Sequence, residues 1–177
     1  MTKRKVYAMG GITLLMAPLG WILAGFPPII EFLDFDNFNL FWTLIGIQFG
    51  FICGIIMYFL GNLGESPKMD EILKIVQSMK LSIIDCVFIS FCAGFGEECL
   101  FRAGIQPWLT PIPTALLFVA IHGYLNPKKP DIIPYGILVL LFIIALSYGM
   151  NSFGLWFSIA AHFSYDFVLF YFWRKSD

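Results

Sequence analysis

Two histidines, three carboxylates and one arginine stand inside stretches that are otherwise apolar. Glu97, Glu98 and Arg102 share one stretch, His122 lies in a second, and His162 and Asp166 lie in a third. A charged side chain at the centre of a membrane helix costs about 2.5–3.5 kcal/mol, so such residues persist only with a partner or a chemical task. Glu98 and Arg102 are four positions apart, acid first, which places them on one helix face in the favourable order. They read as an orienting ion pair, because arginine stays charged and needs an anion in lipid. Glu97 is turned about 100° from Glu98 around the helix and cannot share that contact equally. It is left as a second carboxylate suited to accept a proton. His162 and Asp166 repeat the four-residue spacing, and His122 follows Phe118 by one turn.

These types narrow the chemistry. A zinc protease of the H-E-x-x-H helix pattern is absent. No G-x-G-D partner accompanies Tyr165-Asp166 to make an aspartyl pair, and Ser152 and Ser158 sit in no recognisable nucleophile motif. A glutamate base, two imidazoles and an aspartate able to stabilise an oxyanion remain, a set suited to water-mediated peptide hydrolysis. The plain alternative is a group of structural polar contacts binding helices together, the ordinary role of a lone intramembrane histidine. A proton-relaying transporter would carry inverted repeats, and none is visible. Cys53, Cys86, Cys92 and Cys99 form no C-x-x-C pair and read as small packing residues.

The elements that must position these groups are membrane helices. Of 177 residues, 59% are hydrophobic and 13% charged, where a soluble domain carries roughly 25% charged residues. A net charge of −1, with no basic cluster longer than three, excludes a nucleic-acid surface. Apolar runs near the roughly 20 residues that cross a bilayer occupy 6–30, 40–60, 81–106, 113–125 (short), 132–150 and 153–173. They do not alternate as barrel strands would. Ten of the eleven Lys and Arg residues then fall on one side: Lys3, Arg4, Lys5, Lys68, Lys74, Lys80, Lys128, Lys129, Arg174 and Lys175. The other loops hold only acids, Glu31, Asp34 and Asp36. The positive-inside rule makes both termini cytoplasmic. The expected architecture is therefore an all-α membrane protein, a bundle of about six transmembrane helices forming a single integral domain over 1–177. Two N-terminal spans cover 6–60 and a motif-bearing core covers about 81–170. Between them, 61–80 is a cytoplasmic loop with a short amphipathic segment around Asp70, Glu71 and Lys74. The first run is too long for a signal-peptide core and reads as a retained helix. Asp85 falls near the cytoplasmic edge and reads as interfacial. Small size and the absence of organelle signals suggest a prokaryotic cell membrane.

At these residues the sequence resembles the CPBP family, which includes C-a-a-X prenyl endopeptidases and bacteriocin-processing or immunity membrane proteins. The first family motif, EExxxR, reads Glu97 to Arg102; the second, FxxxH, reads Phe118 to His122; the third, HxxxN or HxxxD, reads His162 to Asp166. All three occur in family order on separate apolar segments, from about Leu81 to Phe170. The resemblance implies an intramembrane endopeptidase acting on a peptide or membrane-protein substrate. Glu97 and His122 would activate a water, His162 and Asp166 would bind the developing oxyanion or hold that geometry, and Glu98, Arg102 and Phe118 would be structural. Asp166 stands where the eukaryotic endopeptidases carry Asn, so it either donates a hydrogen bond when protonated or orients His162. The glycine usual after Arg is displaced to Ala103-Gly104. The family has been described both as metal-dependent and as metal-free; no cofactor is required by the sequence, and Glu97, His122, His162 and Asp166 are the residues that could hold zinc. Catalytically silent relatives acting in binding or immunity are the alternative function. No prenyl-binding determinant is readable. A straight bundle puts Glu97 about 24 Å along its helix from the cytoplasmic edge, far from His122 near that edge. A kink or strong tilt near Gly94–Gly96 is therefore expected, bringing the two within about 10 Å so that they can reach one water.

Overall fold

The computed structural model describes residues 1–61, 67–128 and 130–174, apart from the Lys68 side chain, and all of the regular structure among them is helical. Lys129 and Lys175, two of the basic residues used to orient the chain, lie outside the described residues. Helices α1 (Lys3–Leu14) and α2 (Met16–Leu23) form one apolar rod, broken at Leu15. The break follows from Pro18, which has no N–H to offer the Leu14 carbonyl one turn back. The chain turns through Gly25 and Phe26, both at positive φ, and passes Pro27-Pro28 into a short α3 (Ile29–Phe32). Asn39 then starts α4 (Leu40–Gly61), its Oδ1 accepting from the Phe41 and Trp42 amides at 3.0 and 3.3 Å. The amphipathic segment is a true helix, α5 (Pro67–Ser78).

Helix α6 (Ile83–Glu98) opens with a capping box in which Ser82 and Asp85 satisfy each other's backbone amides. Asp85, expected at the interface, is almost fully buried there, taking the Lys3 ammonium and the Tyr7 hydroxyl. From Cys99 to Ile105 the helix widens to π geometry and runs on into α7 (Gln106–Leu109). Thr110 turns the chain into the 11-residue α8 (Pro111–Ile121). Helices α9 (Ile133–Phe153) and α10 (Leu155–Trp173) complete the bundle.

Among the described residues, four helical stretches are long and apolar enough to cross a membrane: Lys3–Leu23, Leu40–Gly61, Pro130–Phe153 and Leu155–Trp173. The remaining two expected spans take other forms, one an α-helix continued by a π segment, the other the short α8. Met1 and Arg174, the first and last described residues, lie at one end of the bundle: the Met1 amine meets the Ser78 carbonyl, and Arg174 donates to the Leu81 carbonyl at 3.4 Å.

Helix α10 runs through the middle, packed on α4, α6 and α9. Without a hydrophobic drive between lipid-bathed helices, close approach depends on small residues. Gly46, Gly50 and Gly54 supply a stripe on α4: a Cβ at Gly46 would meet the Phe157 carbonyl, and one at Gly50 the Ala161 carbonyl. Ser164 uses the contact by donating to the Ile47 carbonyl at 2.8 Å. On the opposite flank, a Cβ at Gly94 would lie 2.8 Å from the Phe163 amide nitrogen. The α-geometry of α6 is unbroken through Gly94 and Gly96, so of the expected kink or strong tilt no kink interrupts the helix there. Those glycines serve the approach of α10 and α1, and the irregularity comes at Cys99–Ile105.

Candidate active site

The three polar stretches converge on the flank of α10. Glu98 bridges them. Its Oε2 accepts from Arg102 Nε at 2.9 Å, with both side chains wholly inaccessible, and its Oε1 accepts from His162 Nδ1 at 2.8 Å. A carboxylate only accepts, so His162 carries a proton on Nδ1 and turns Nε2 toward Asp166, whose Oδ2 is 3.7 Å away. His122 is fixed by its own helix: Nδ1–H donates to the Phe118 carbonyl at 2.7 Å, leaving Nε2 to face Glu97 Oε2 at 3.7 Å. The second ring nitrogen thus sets the first, as it does in most working histidines.

Phe118 sits at the centre of this cluster. Its ring stacks on His122 (centroids 4.3 Å apart), meets the edge of His162 at 5.9 Å, and lies under the Arg102 guanidinium, also at 5.9 Å. Its packing against Phe101 at 4.9 Å ties α8 to the π segment. One aromatic residue therefore spaces the polar groups of all three stretches.

Glu97 and His122 meet because α8 is short rather than because α6 bends. Fourteen residues carry α6 about 21 Å from Ile83 to Glu97, while α8 comes from the opposite end and stops after about 16 Å at Ile121. His122 therefore ends near the level of Glu97 instead of at the far edge.

Glu97, His122, His162 and Asp166 all line one cavity of about 280 Å³. The rest of its wall is mainly apolar and aromatic, including Tyr124, Tyr135, Val139 and Phe142. Ile72 and Val76 of α5 also contribute. These lining residues carry no motif in the sequence; the only signal for the α5 pair was the apolar face of that segment. Among the described residues, no three His, Cys, Asp or Glu side chains gather closely enough to hold a metal ion. The donor types fit zinc but their spacing here does not, and no chemistry is routed through a metal. What the arrangement offers is four proton-accepting atoms around one small space: Glu97 Oε2, His122 Nε2, His162 Nε2 and Asp166 Oδ2. One water oxygen can stand about 2.8 Å from both Glu97 and His122 and give a proton to each.

A bundle of apolar helices enclosing such a cluster defines an integral membrane protein with a buried polar site. The family model for the type II CAAX prenyl endopeptidase Rce1-like proteins matches residues 79–168, which is just over half of the chain and contains all three polar stretches. The chain belongs to this family, a family of proteases. No curated protein and no solved structure matches it.

Proposed function

We propose that the protein is an intramembrane endopeptidase that hydrolyses a peptide bond with a water activated by Glu97 and His122. The observation that carries this reading is the 3.7 Å gap between Glu97 Oε2 and His122 Nε2 on the wall of the cavity, two acceptors with nothing to exchange except a proton. The water oxygen attacks the carbonyl carbon while its proton passes to Glu97, and the carbonyl π electrons move to oxygen. A proton carried by His162 Nε2 or by Asp166 Oδ2, which stand 3.7 Å apart, is donated to that oxyanion. When the intermediate collapses, the C–N bond breaks toward nitrogen and the amine takes the proton back from Glu97. Glu98 and Arg102 keep His162 in the required tautomer. The apolar wall fits a peptide or membrane protein presenting apolar residues beside the cleaved bond.

In this reading six helices cross the bilayer and both termini are cytoplasmic. Support comes from the shared position of the two chain ends and from the basic residues gathered there, among them Lys3, Lys80 and Arg174.

The test is cleavage of a peptide library by the purified protein, with products read by mass spectrometry against Glu97→Gln. Removing a general base lowers turnover by about 10²–10⁴, so cleavage should vanish into background while the unfolding midpoint stays near that of the parent. Equal cleavage by both proteins would refute the mechanism, and none by either would favour a silent, binding member of the family.

A further inference from the structure

The Arg102 guanidinium is only partly used. It is wholly inaccessible and gives Nε–H to Glu98, yet Nη1 and Nη2 have no acceptor among the described residues. Next to it, Gln106 shows the complementary deficit. Its Nε2 is committed to the Ser147 carbonyl at 3.0 Å and Asn151 Oδ1 at 3.1 Å, which fixes the amide orientation and leaves Oε1 without a donor. Buried polar atoms in native proteins are nearly always satisfied by protein or by ordered water. Both residues border a cavity of about 260 Å³ with Pro107, Thr110 and Asn151, and the packing around them closes their orphaned atoms off from it. This cavity lies at the end of the bundle opposite the termini. It shares Pro107, Met150 and Asn151 with a wider vestibule of about 640 Å³.

The occupant must accept from a guanidinium and donate to an amide oxygen. A carboxylate or phosphate satisfies the first demand and fails the second. Glu31 and Asp34 on the vestibule wall also repel anions. Water satisfies both, and the volume holds several molecules. We infer that this cavity is a water site, open to the face of the bundle opposite the termini, from which water enters past the packed side chains to the closed-off guanidinium and so keeps the Arg102–Glu98 pair charged within the membrane. Arg102, Glu98 and His162 then form one hydrogen-bonded chain across the core, with outer water at one end and the reaction cavity at the other. Arginine holds its protons, so the chain fixes charge and tautomer without conducting protons. The inference holds whether or not the inner cavity cleaves peptides.

The experiment is replacement of the side chain by a soluble mimic. Arg102→Ala should unfold at lower temperature than the parent, and methylguanidinium at millimolar concentration should raise that midpoint saturably, by a few degrees. The parent, and Arg102→Ala combined with Asn151→Trp to fill the cavity, should not respond. No saturable rise, or the same rise in the filled variant, overturns the proposal. If Arg102→Ala does not fold, Gln106→Cys takes its place in sealed vesicles treated with a charged, membrane-impermeant methanethiosulfonate. Modification faster than that of the native thiols, and only from the face opposite the termini, supports the water site. Modification no faster than those thiols, or only from the terminal face, refutes it.

Discussion

Removing the Glu98 carboxylate is the sharpest way to question the core. In Glu98→Ala, Arg102 loses its acceptor at 2.9 Å and His162 loses the one at 2.8 Å, both in fully buried surroundings. Stranding one partner of a buried ion pair costs about 3–5 kcal/mol. We expect the lower end, near 3 kcal/mol, because the Nη groups keep the water of the outer cavity. Arg102→Met strands the carboxylate instead, which retains the His162 hydrogen bond, and should cost less. The double variant should cost clearly less than the two single losses together, since an uncharged pair leaves no buried charge without its partner. The assay is reversible unfolding in mixed micelles, titrating denaturing into mild detergent, for all four proteins. A loss below about 1 kcal/mol for Glu98→Ala, the size of an ordinary hydrogen bond, would refute the reasoning. So would strict additivity in the double variant.

The α4–α10 contact makes a second prediction. Gly50→Ala places a methyl group on the Ala161 carbonyl and should cost about 1–3 kcal/mol by overpacking. Gly11→Ala, with nothing within 4 Å of the new carbon, should cost nothing in the same unfolding assay. A third concerns Asp34, whose Oδ2 accepts from the Leu155 amide at 2.8 Å and closes the start of α10 from a loop 121 residues away. Asp34→Ala should cost about 1 kcal/mol and speed hydrogen exchange in the first turn of α10, whereas Asp34→Asn should retain most of both.

The sequence makes the helical class, the family and the polar cluster readable for one reason: ionisable residues in apolar runs are costly enough to stand out. Glu98 and Arg102 could be paired from spacing alone because both lie on one helix. Their link to His162 could not, since a contact across 64 positions leaves no local pattern. The reach between Glu97 and His122 was expected to need a kink or strong tilt at Gly94–Gly96, where flexible residues suggested one. What the structure shows is a helix that starts after Thr110 and ends early, just before Gly123 at positive φ. The glycine stripe of α4 was visible as a four-residue repeat but lacks direction until α10 is seen against it. Asp34 read as an outer-loop acid, and its work on α10 belongs to tertiary structure. Ile72 and Val76 were legible as an apolar face, while the cavity they cover was not.

The early end of α8 also has a consequence for the surrounding lipid. Eleven helical residues reach about 16 Å, against a hydrocarbon layer of about 30 Å. Below Ile121 the chain leaves the helix through Gly123 at positive φ, and non-helical backbone is tolerated at that depth only against protein or water. In the proposed six-span arrangement the acyl chains flanking α8 would shorten or splay, drawing the headgroup region inward on that side of the protein. In that arrangement the imidazole of His122, at the foot of the helix, would lie close to a local dent in the bilayer, much nearer to bulk solvent than its distance from the mean membrane surface implies.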